Sequence, residues 1–319
     1  MKFSIIPSIR IAAVGLSLFA GVVSAQDKAI ILEPPKGPLA LAAGNNLYCA
    51  GYVQKAGVST DNRIIGGQDE ADKYNYAQND FVYINSGRGK GVAVGDRFAV
   101  IRPRGAVKSQ WTDKSVGFYV QEVGMLEVVD VKQDVSVARV RISCDTFLLG
   151  DLVQMTPERV SPMDVKLDPL DRFAGPTGKA QGRILFARDG HEMITRDQIA
   201  YIDLGQDENV RVGDRVTIFR ALDKGNVTTS PQGETGTSRD YGFQSEVYQG
   251  GRYSNQSGRK SGETADGREI TTERAKKGRP FLRKVVGEAV VLNVKERTAT
   301  IVITRTAQEI HTGDWVELK

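Results

Sequence analysis

The chain has 319 residues, with 43 Lys or Arg, 39 Asp or Glu, only two His and only two Cys, and a formal net charge of +4. A charge this small favours neither nucleic acid nor acidic lipid as a general partner. The length is sufficient for two domains of ordinary size, each with a hydrophobic core of its own.

Residues 1–25 predict a secretory signal peptide. Lys2 and Arg10 give a basic start, residues 11–23 are an apolar run too short to span a bilayer, and the small residues up to Ala25 suit cleavage. No later stretch is apolar enough to cross a membrane. We therefore expect a periplasmic or secreted protein, cleaved near Ala25, that is not an integral membrane protein.

Residues 26–46 are rich in Pro, Gly and Ala and predict an irregular N-terminal arm. Residues 47–155 then predict a first β-module. Its strand-like segments are short, rich in β-branched residues and bounded by turn residues; they are 47–53, 80–85, 97–102, 124–131, 135–143 and 152–155. In the fifth segment Val135, Val137, Val140 and Ile142 alternate, with a slip after Val137 that suits a β-bulge.

The module is followed by a second copy of itself. Residues 80–102 recur as 198–220 at an offset of 118, and residues 123–155 recur without a gap as 286–318 at an offset of 163. The 45-residue difference between the offsets is an insertion in the second copy. The sequence therefore predicts two tandem modules that share strand order and register.

The proline-containing residues 156–180 predict a linker, and residues 181–319 the second module. This module begins at 181–187, where Gly182 and Ile184 match Gly51 and Val53. Its insertion, about residues 222–280, is poor in aliphatic residues and predicts a disordered loop. The fold class predicted is all-β: two small β-barrel-like modules built on Gly-Asp turns.

A Gly-Asp pair precedes four of the predicted strands. Glycine supplies a positive φ and the aspartate caps backbone N–H groups of the turn, so we interpret the pairs as structural turns rather than metal ligands. The four pairs are Gly95 with Asp96, Gly150 with Asp151, Gly213 with Asp214, and Gly313 with Asp314. They resemble the Gly-Asp box of cradle-loop β-barrels, which is a fold signal.

The sequence has no complete catalytic motif. His191 and Glu192 begin a zinc-protease pattern, but Thr195 stands where the second histidine is required. Residues 86–91 and 175–180 are similar to phosphate-binding loops but lack the full spacing. We predict no enzymatic activity, no catalytic residue, no metal site and no cofactor.

The two cysteines, Cys49 and Cys144, predict a disulfide, because an exported chain passes through an oxidising compartment. Other side chains suit partner binding: Trp111 in a connection of the first module, and aromatic and basic residues of the insertion. The candidates in the insertion are Tyr241, Phe243, Tyr248, Tyr253, Arg274, Lys276, Lys277 and Arg279.

The repeated pattern resembles the region that follows the LysM domain in some bacterial envelope proteins. It is also similar, more loosely, to the C-terminal β-domain of the periplasmic flagellar assembly protein T. The residues that carry the likeness are Tyr201, Gly205, Gly213, Asp214, Arg220, Gly287, Ile303, Glu309, Ile310, Gly313 and Asp314. The resemblance implies a β-domain of an envelope protein and brings no catalytic residue; the chain has no LysM segment.

Two functions follow as expectations. The first is an exported, non-enzymatic structural or assembly component of a bacterial envelope machine, which contacts envelope proteins and not nucleic acid. The alternative is a module that binds peptidoglycan, another carbohydrate or an anionic wall polymer. It would need aromatic rings exposed on a barrel face, and Trp111 and Trp315 are the only tryptophans.

Overall fold

The computed structural model describes residues 40–42, 45–111, 115–156, 158–164, 168–222 and 280–319. The predicted signal peptide and most of the predicted arm lie outside these residues. The described residues form one compact unit. The regular secondary structure of the described residues is almost entirely β, which confirms the predicted fold class.

The first module forms a sheet that curls back on itself. Its elements are α1 (Asn45–Tyr48), β1 (Tyr52–Gln54), β2 (Ile64–Gly67), β3 (Phe81–Ile84), β4 (Arg97–Ala106), β5 (Phe118–Val131), β6 (Ser136–Ser143) and β7 (Leu152–Met155). The strands pair in the order β2-β3-β6-β5-β4-β7, and β1 joins β5. An antiparallel bridge from Arg63 to Leu152 returns β7 to the start of β2. We call this module barrel one.

The second module is a closed barrel, which we call barrel two. Its elements are β8 (Gln181–Ala187), β9 (Met193–Ile194), β10 (Ile199–Ile202), β11 (Arg215–Ala221), β12 (Arg283–Val294), β13 (Ala299–Thr306), β14 (Ile310–His311) and β15 (Trp315–Leu318). Six strands close in the order β10-β13-β12-β11-β15-β8, while β9 pairs with β14 separately. Short 3₁₀ turns occupy matching places in the two barrels, at Arg88–Lys90 and Gln206–Glu208.

The two barrels share strand order and register. Tyr83 pairs with Val137 in barrel one, and their repeats Tyr201 and Thr300 pair in barrel two. Residues related by the two sequence offsets therefore occupy equivalent positions in the two barrels.

The prediction that residues 181–187 match the segment 47–53 was wrong. Ile184 pairs with Ile202 in barrel two, as Ile64 pairs with Ile84 in barrel one, so β8 corresponds to β2. Segment 47–53 is also not one strand: α1 ends within it, and only its last residues enter β1. It has no counterpart in the strand order of barrel two.

The described residues of segment 42–53, which are 42 and 45–53, join the barrels. Three side-chain hydroxyls on the outside of barrel two donate hydrogen bonds to backbone carbonyls of this segment: Tyr201 to Ala50 (2.6 Å), Thr300 to Gly51 (3.0 Å) and Thr298 to Val53 (2.6 Å). Apolar residues on both sides complete a buried cluster that includes Leu47, Leu185 and Leu292. Strand β10 is therefore covered on both faces, by its own core inside and by this segment outside.

The predicted linker 156–180 is packed against both barrels where it is described. At its start the Arg159 guanidinium pairs with the Glu122 carboxylate, which is fully buried. Near its end the carbonyls of Ala174 and Gly175 accept hydrogen bonds from the Arg283 guanidinium of β12. We call residues 168–180 the strap, because they run along the outside of barrel two.

Candidate partner-binding surface

The Gly-Asp turns have the same geometry at all four positions. Each glycine has a φ between 84° and 94°, a region that favours glycine. Each aspartate accepts a hydrogen bond from the backbone N–H three residues before it, at 2.8–2.9 Å; the donors are Ala93, Leu148, Arg211 and His311. These carboxylates are engaged within their turns.

A second polar feature recurs in both barrels. The Arg102 guanidinium makes a bidentate pair with Asp151, at 2.6 and 2.8 Å, and Arg220 makes the same pair with Asp314, at 2.8 and 2.9 Å. Planar, bidentate pairs of this kind fix geometry. Polar residues that are repeated in the two barrels therefore hold the fold together.

The carboxylate of Glu317, on the outside of barrel two, holds the strap in place. The Glu317 side chain is fully buried and pairs with Arg283, itself 3% exposed; it also accepts hydrogen bonds from the backbone N–H groups of Thr177 and Gly178. Burial alone would raise the pKa of Glu317, but hydrogen bonds from Gln181, Arg283 and Thr177 hold it below its usual value. This buried carboxylate is therefore ionised at neutral pH.

A cleft of about 590 Å³ opens where the barrels meet. The residues that line it are Cys49, Arg104, Tyr119, Gln121, Glu122, Cys144, Arg188 and Asp189. Arg188 pairs with Asp189, and Glu122 pairs with Arg159. Burial raises the pKa of Tyr119, so its hydroxyl stays protonated near neutral pH. The charged groups of this cleft are largely compensated within the protein.

The predicted disulfide lies in this cleft and is confirmed. Cys49 and Cys144 are bonded, with their Cα atoms 5.8 Å apart. The bond ties segment 42–53 to the end of β6, and thus fastens to barrel one the segment that covers barrel two. A disulfide is typical of proteins that fold outside the cytoplasm.

Exposed apolar side chains gather where the insertion leaves barrel two. Leu222 follows β11 and is 42% exposed; Phe281 and Leu282, which precede β12, are 54% and 43% exposed. The backbone N–H of Leu222 donates to the carbonyl of Leu282 at 2.9 Å, so the two ends of the insertion lie side by side.

The strap brings a further aromatic ring to the same end. Phe173 is 87% exposed, and its neighbour Arg172 accepts a hydrogen bond from the backbone N–H of Val285 at 3.0 Å. We define the root surface as Phe173, Leu222, Phe281 and Leu282. Sequence reasoning missed these four residues, although apolar residues at the two ends of a polar insertion are a signal that was available.

Phe281 of the root surface packs against a buried aromatic ring. The Phe281 ring meets the buried Phe219 ring edge to face, with centroids 6.3 Å apart. Phe219 in turn stacks with Trp315, whose ring lies 3.4 Å from the Arg183 guanidinium carbon. Trp315 is thus packed, and Arg183 covers one of its faces.

The other predicted partner-binding residues divide into two groups. Trp111 is 41% exposed and lies against Gly313 of barrel two, where ring atoms stand 2.5 Å from the position of a Cβ. The eight predicted residues of the insertion, from Tyr241 to Arg279, lie outside the described residues.

In the described ranges no group of three or more His, Cys, Asp or Glu side chains is arranged to hold a metal ion.

Comparison with known proteins does not assign the chain. No protein-family model matches it, and no curated protein matches it. No helix among the described residues is long and apolar enough to cross a membrane.

Proposed function

We propose that this protein is an exported, non-enzymatic structural component of a bacterial envelope assembly, and that it binds a protein partner through the root surface and the adjoining insertion. The observation that carries the proposal is the root surface: four large apolar side chains exposed near the start of β12, of which Phe281 packs on the buried Phe219. Exposed apolar groups clustered in this way are typical of sites that bind protein.

The distribution of polar groups supports a scaffold. The Gly-Asp turns and the two Arg-Asp pairs recur in both barrels, and their hydrogen bonds are made within the fold. In contrast, the insertion occurs in the second copy alone, and Phe173 lies in the segment between the two copies. Contacts with partners are thus assigned to the parts in which the copies differ, and fold stability to the parts that they share.

Export is part of the proposal. The disulfide suits an oxidising compartment, and the N-terminal 25 residues have the composition of a signal peptide. The bacterial envelope fits both features and the predicted resemblance.

Deletion of residues 225–278 tests this function. Leu222 and Leu282 are already hydrogen-bonded to each other, so the remaining residues close a short loop and the melting temperature should change by no more than about 2 °C. Capture of an envelope partner from periplasmic extract should be lost. The double variant Phe281→Ser, Leu282→Ser should lose most of the capture with the insertion still present.

Val160→Ser is the matched control, because Val160 is an apolar side chain that is 76% exposed and is not part of the root surface. It should capture the partner as the wild type does. Undiminished capture by the deletion variant would contradict the proposal, and so would hydrolysis of a cell-wall or peptide substrate by the purified protein.

A further inference from the structure

The root surface of barrel two has a counterpart in barrel one. The offset of 163 residues places Phe281 at the position of Phe118 and Leu282 at that of Tyr119. The strand pairing agrees, because β11 pairs with β12 in the same register, including the same shift, in which β4 pairs with β5. Phe118 and Phe281 are also both exposed, at 45% and 54%.

In barrel one this end of the barrel packs against barrel two. The Tyr119 ring contacts the Phe186 and Tyr201 rings on the outside of barrel two, with centroids 5.2 Å apart in both cases, and the two tyrosine hydroxyls are hydrogen-bonded at 3.2 Å. Segment 42–53 reaches the same place, since the Tyr201 hydroxyl donates to the carbonyl of Ala50. The end of barrel one at which β5 begins therefore holds the outer face of another barrel.

The strap is likewise the counterpart of segment 42–53. The segment reaches β5 at Glu122, whose carboxylate accepts a hydrogen bond from the backbone N–H of Gly51 at 3.0 Å. The strap reaches β12 at Val285, the equivalent residue, whose backbone N–H donates to a carbonyl of the strap at 3.0 Å. Phe173, which lies on the strap, thus belongs to the same end of barrel two as the rest of the root surface.

We infer that the root surface binds the outer face of a further β-barrel, as the equivalent end of barrel one binds barrel two. This inference rests on the proposed function and names the class of partner. Leu282 takes the place that Tyr119 has between the barrels, against apolar and aromatic side chains that point outward from two neighbouring strands. Phe281 and Phe173 extend the contact.

The further barrel belongs to a different protein and not to a second copy of the chain. The face of barrel two that receives Tyr119 is already covered by segment 42–53. The equivalent face of barrel one lacks one of the two rings, because Gly66 pairs with Tyr83 where Phe186 pairs with the second tyrosine in barrel two.

The exposed charged side chains next to the root surface carry both signs. Among the described residues within two positions of its members, they are Asp171, Arg172 and Lys284. Recognition therefore depends on the apolar side chains, and the partner's face needs an apolar centre but no strong net charge.

Photo-crosslinking with mass spectrometry of the joined peptides tests the inference. A photoreactive phenylalanine derivative at position 119 is the internal reference and should join to β8 or β10 of the same chain. The same group at position 282, in intact cells, should join to a partner protein on the strands of a β-barrel. Outward residues alternate along a strand, so the joined residues should lie two positions apart.

Substitutions at Leu282, with the photoreactive group moved to position 281, test the contact itself. Leu282→Tyr introduces the residue that barrel one has at this position and should keep the crosslink yield within about twofold. Leu282→Arg places a charge in an apolar contact and should lower the yield at least about tenfold. Equal yields from the two variants would overturn the inference.

The site of the crosslink separates this inference from the proposed function. Crosslinks from position 282 to a helix or an irregular loop of the partner overturn the inference and leave the proposed function standing. Crosslinks to a second copy of the chain overturn the assignment to a different protein. No crosslink from position 281 or 282, when position 119 gives its internal one, overturns the inference and the proposed function together.

Discussion

Replacing both Cys49 and Cys144 with serine should lower the free energy of unfolding by about 4 to 5 kcal/mol. The bond closes a loop of 95 residues, and in the chain-entropy model a loop of that length gives a stabilisation of this size. Loss of the bond should also loosen the contact between the barrels, because Cys49 lies in the segment that packs against barrel two. The barrels should then separate more readily.

Chemical denaturation of the oxidised wild type, the reduced wild type and the double serine variant measures this effect. The serine variant controls for other effects of the reducing agent, because the sequence contains only these two cysteines. A reducing agent should therefore destabilise the wild type and leave the variant unchanged. A difference below about 1 kcal/mol between oxidised and reduced wild type would show that the bond does not secure the junction.

Arg283→Ala should destabilise the protein by about 3 to 5 kcal/mol, because it leaves the buried Glu317 carboxylate without its counter-charge. The change also removes the hydrogen bonds that hold the strap at Ala174 and Gly175. Arg141→Ala is the matched control: Arg141 and Glu127 form an exposed pair, with side chains 42% and 29% exposed, and its loss should cost no more than about 1 kcal/mol. Equal losses of stability in the two variants would contradict the stabilising role given to the buried Arg283–Glu317 pair.

The same pair predicts a dependence on pH. The pKa of Glu317 in the folded protein lies below its ordinary value of 4.5, so its carboxylate binds a proton more readily in the unfolded chain. Its contribution to stability is complete above the unfolded pKa and is lost as pH falls through the folded pKa. Because Arg283→Ala removes a hydrogen bond that lowers this pKa, the variant should lose less stability than the wild type below about pH 4.5.

The repeat made much of the fold predictable. Gapless offsets tie residues 80–102 and 123–155 of the first copy to residues of the second, and a slip of one residue would turn inward side chains outward. Short β-branched segments between Gly-Asp turns then located most strands. The disulfide was predicted from the expected export together with the count of two cysteines.

Strand β2 escaped prediction because of its two glycines, which weaken a strand signal. Gly67 is required there, since the Tyr76 ring lies 2.1 Å from the position that its Cβ would take. The alternation predicted in β6 was also partly wrong. Ser136 and Ala138 face the core instead of Val135 and Val137, because the two register shifts of this pair fall at Val129 of β5 and Arg141 of β6 rather than after Val137.

Exposure at the root surface depends on tertiary structure. Phe173 lies in a segment predicted as a linker, and nothing in its local sequence indicates that the strap carries it to the end of barrel two. Conversely, Tyr201 and Leu185 are buried by segment 42–53, which is distant in sequence. Local patterns therefore predicted the strands but not which outer faces are covered.

Site-specific photo-crosslinking tests the central claim, that this is a scaffold which binds its partner at the root surface, most directly. A photoreactive amino acid is placed at position 281 and, as a control, at position 94, where Val94 is 66% exposed on barrel one. After irradiation of intact cells, position 281 should yield a crosslink to one envelope protein, and position 94 should not. Equal crosslinking at both positions, or none at position 281, would contradict the account.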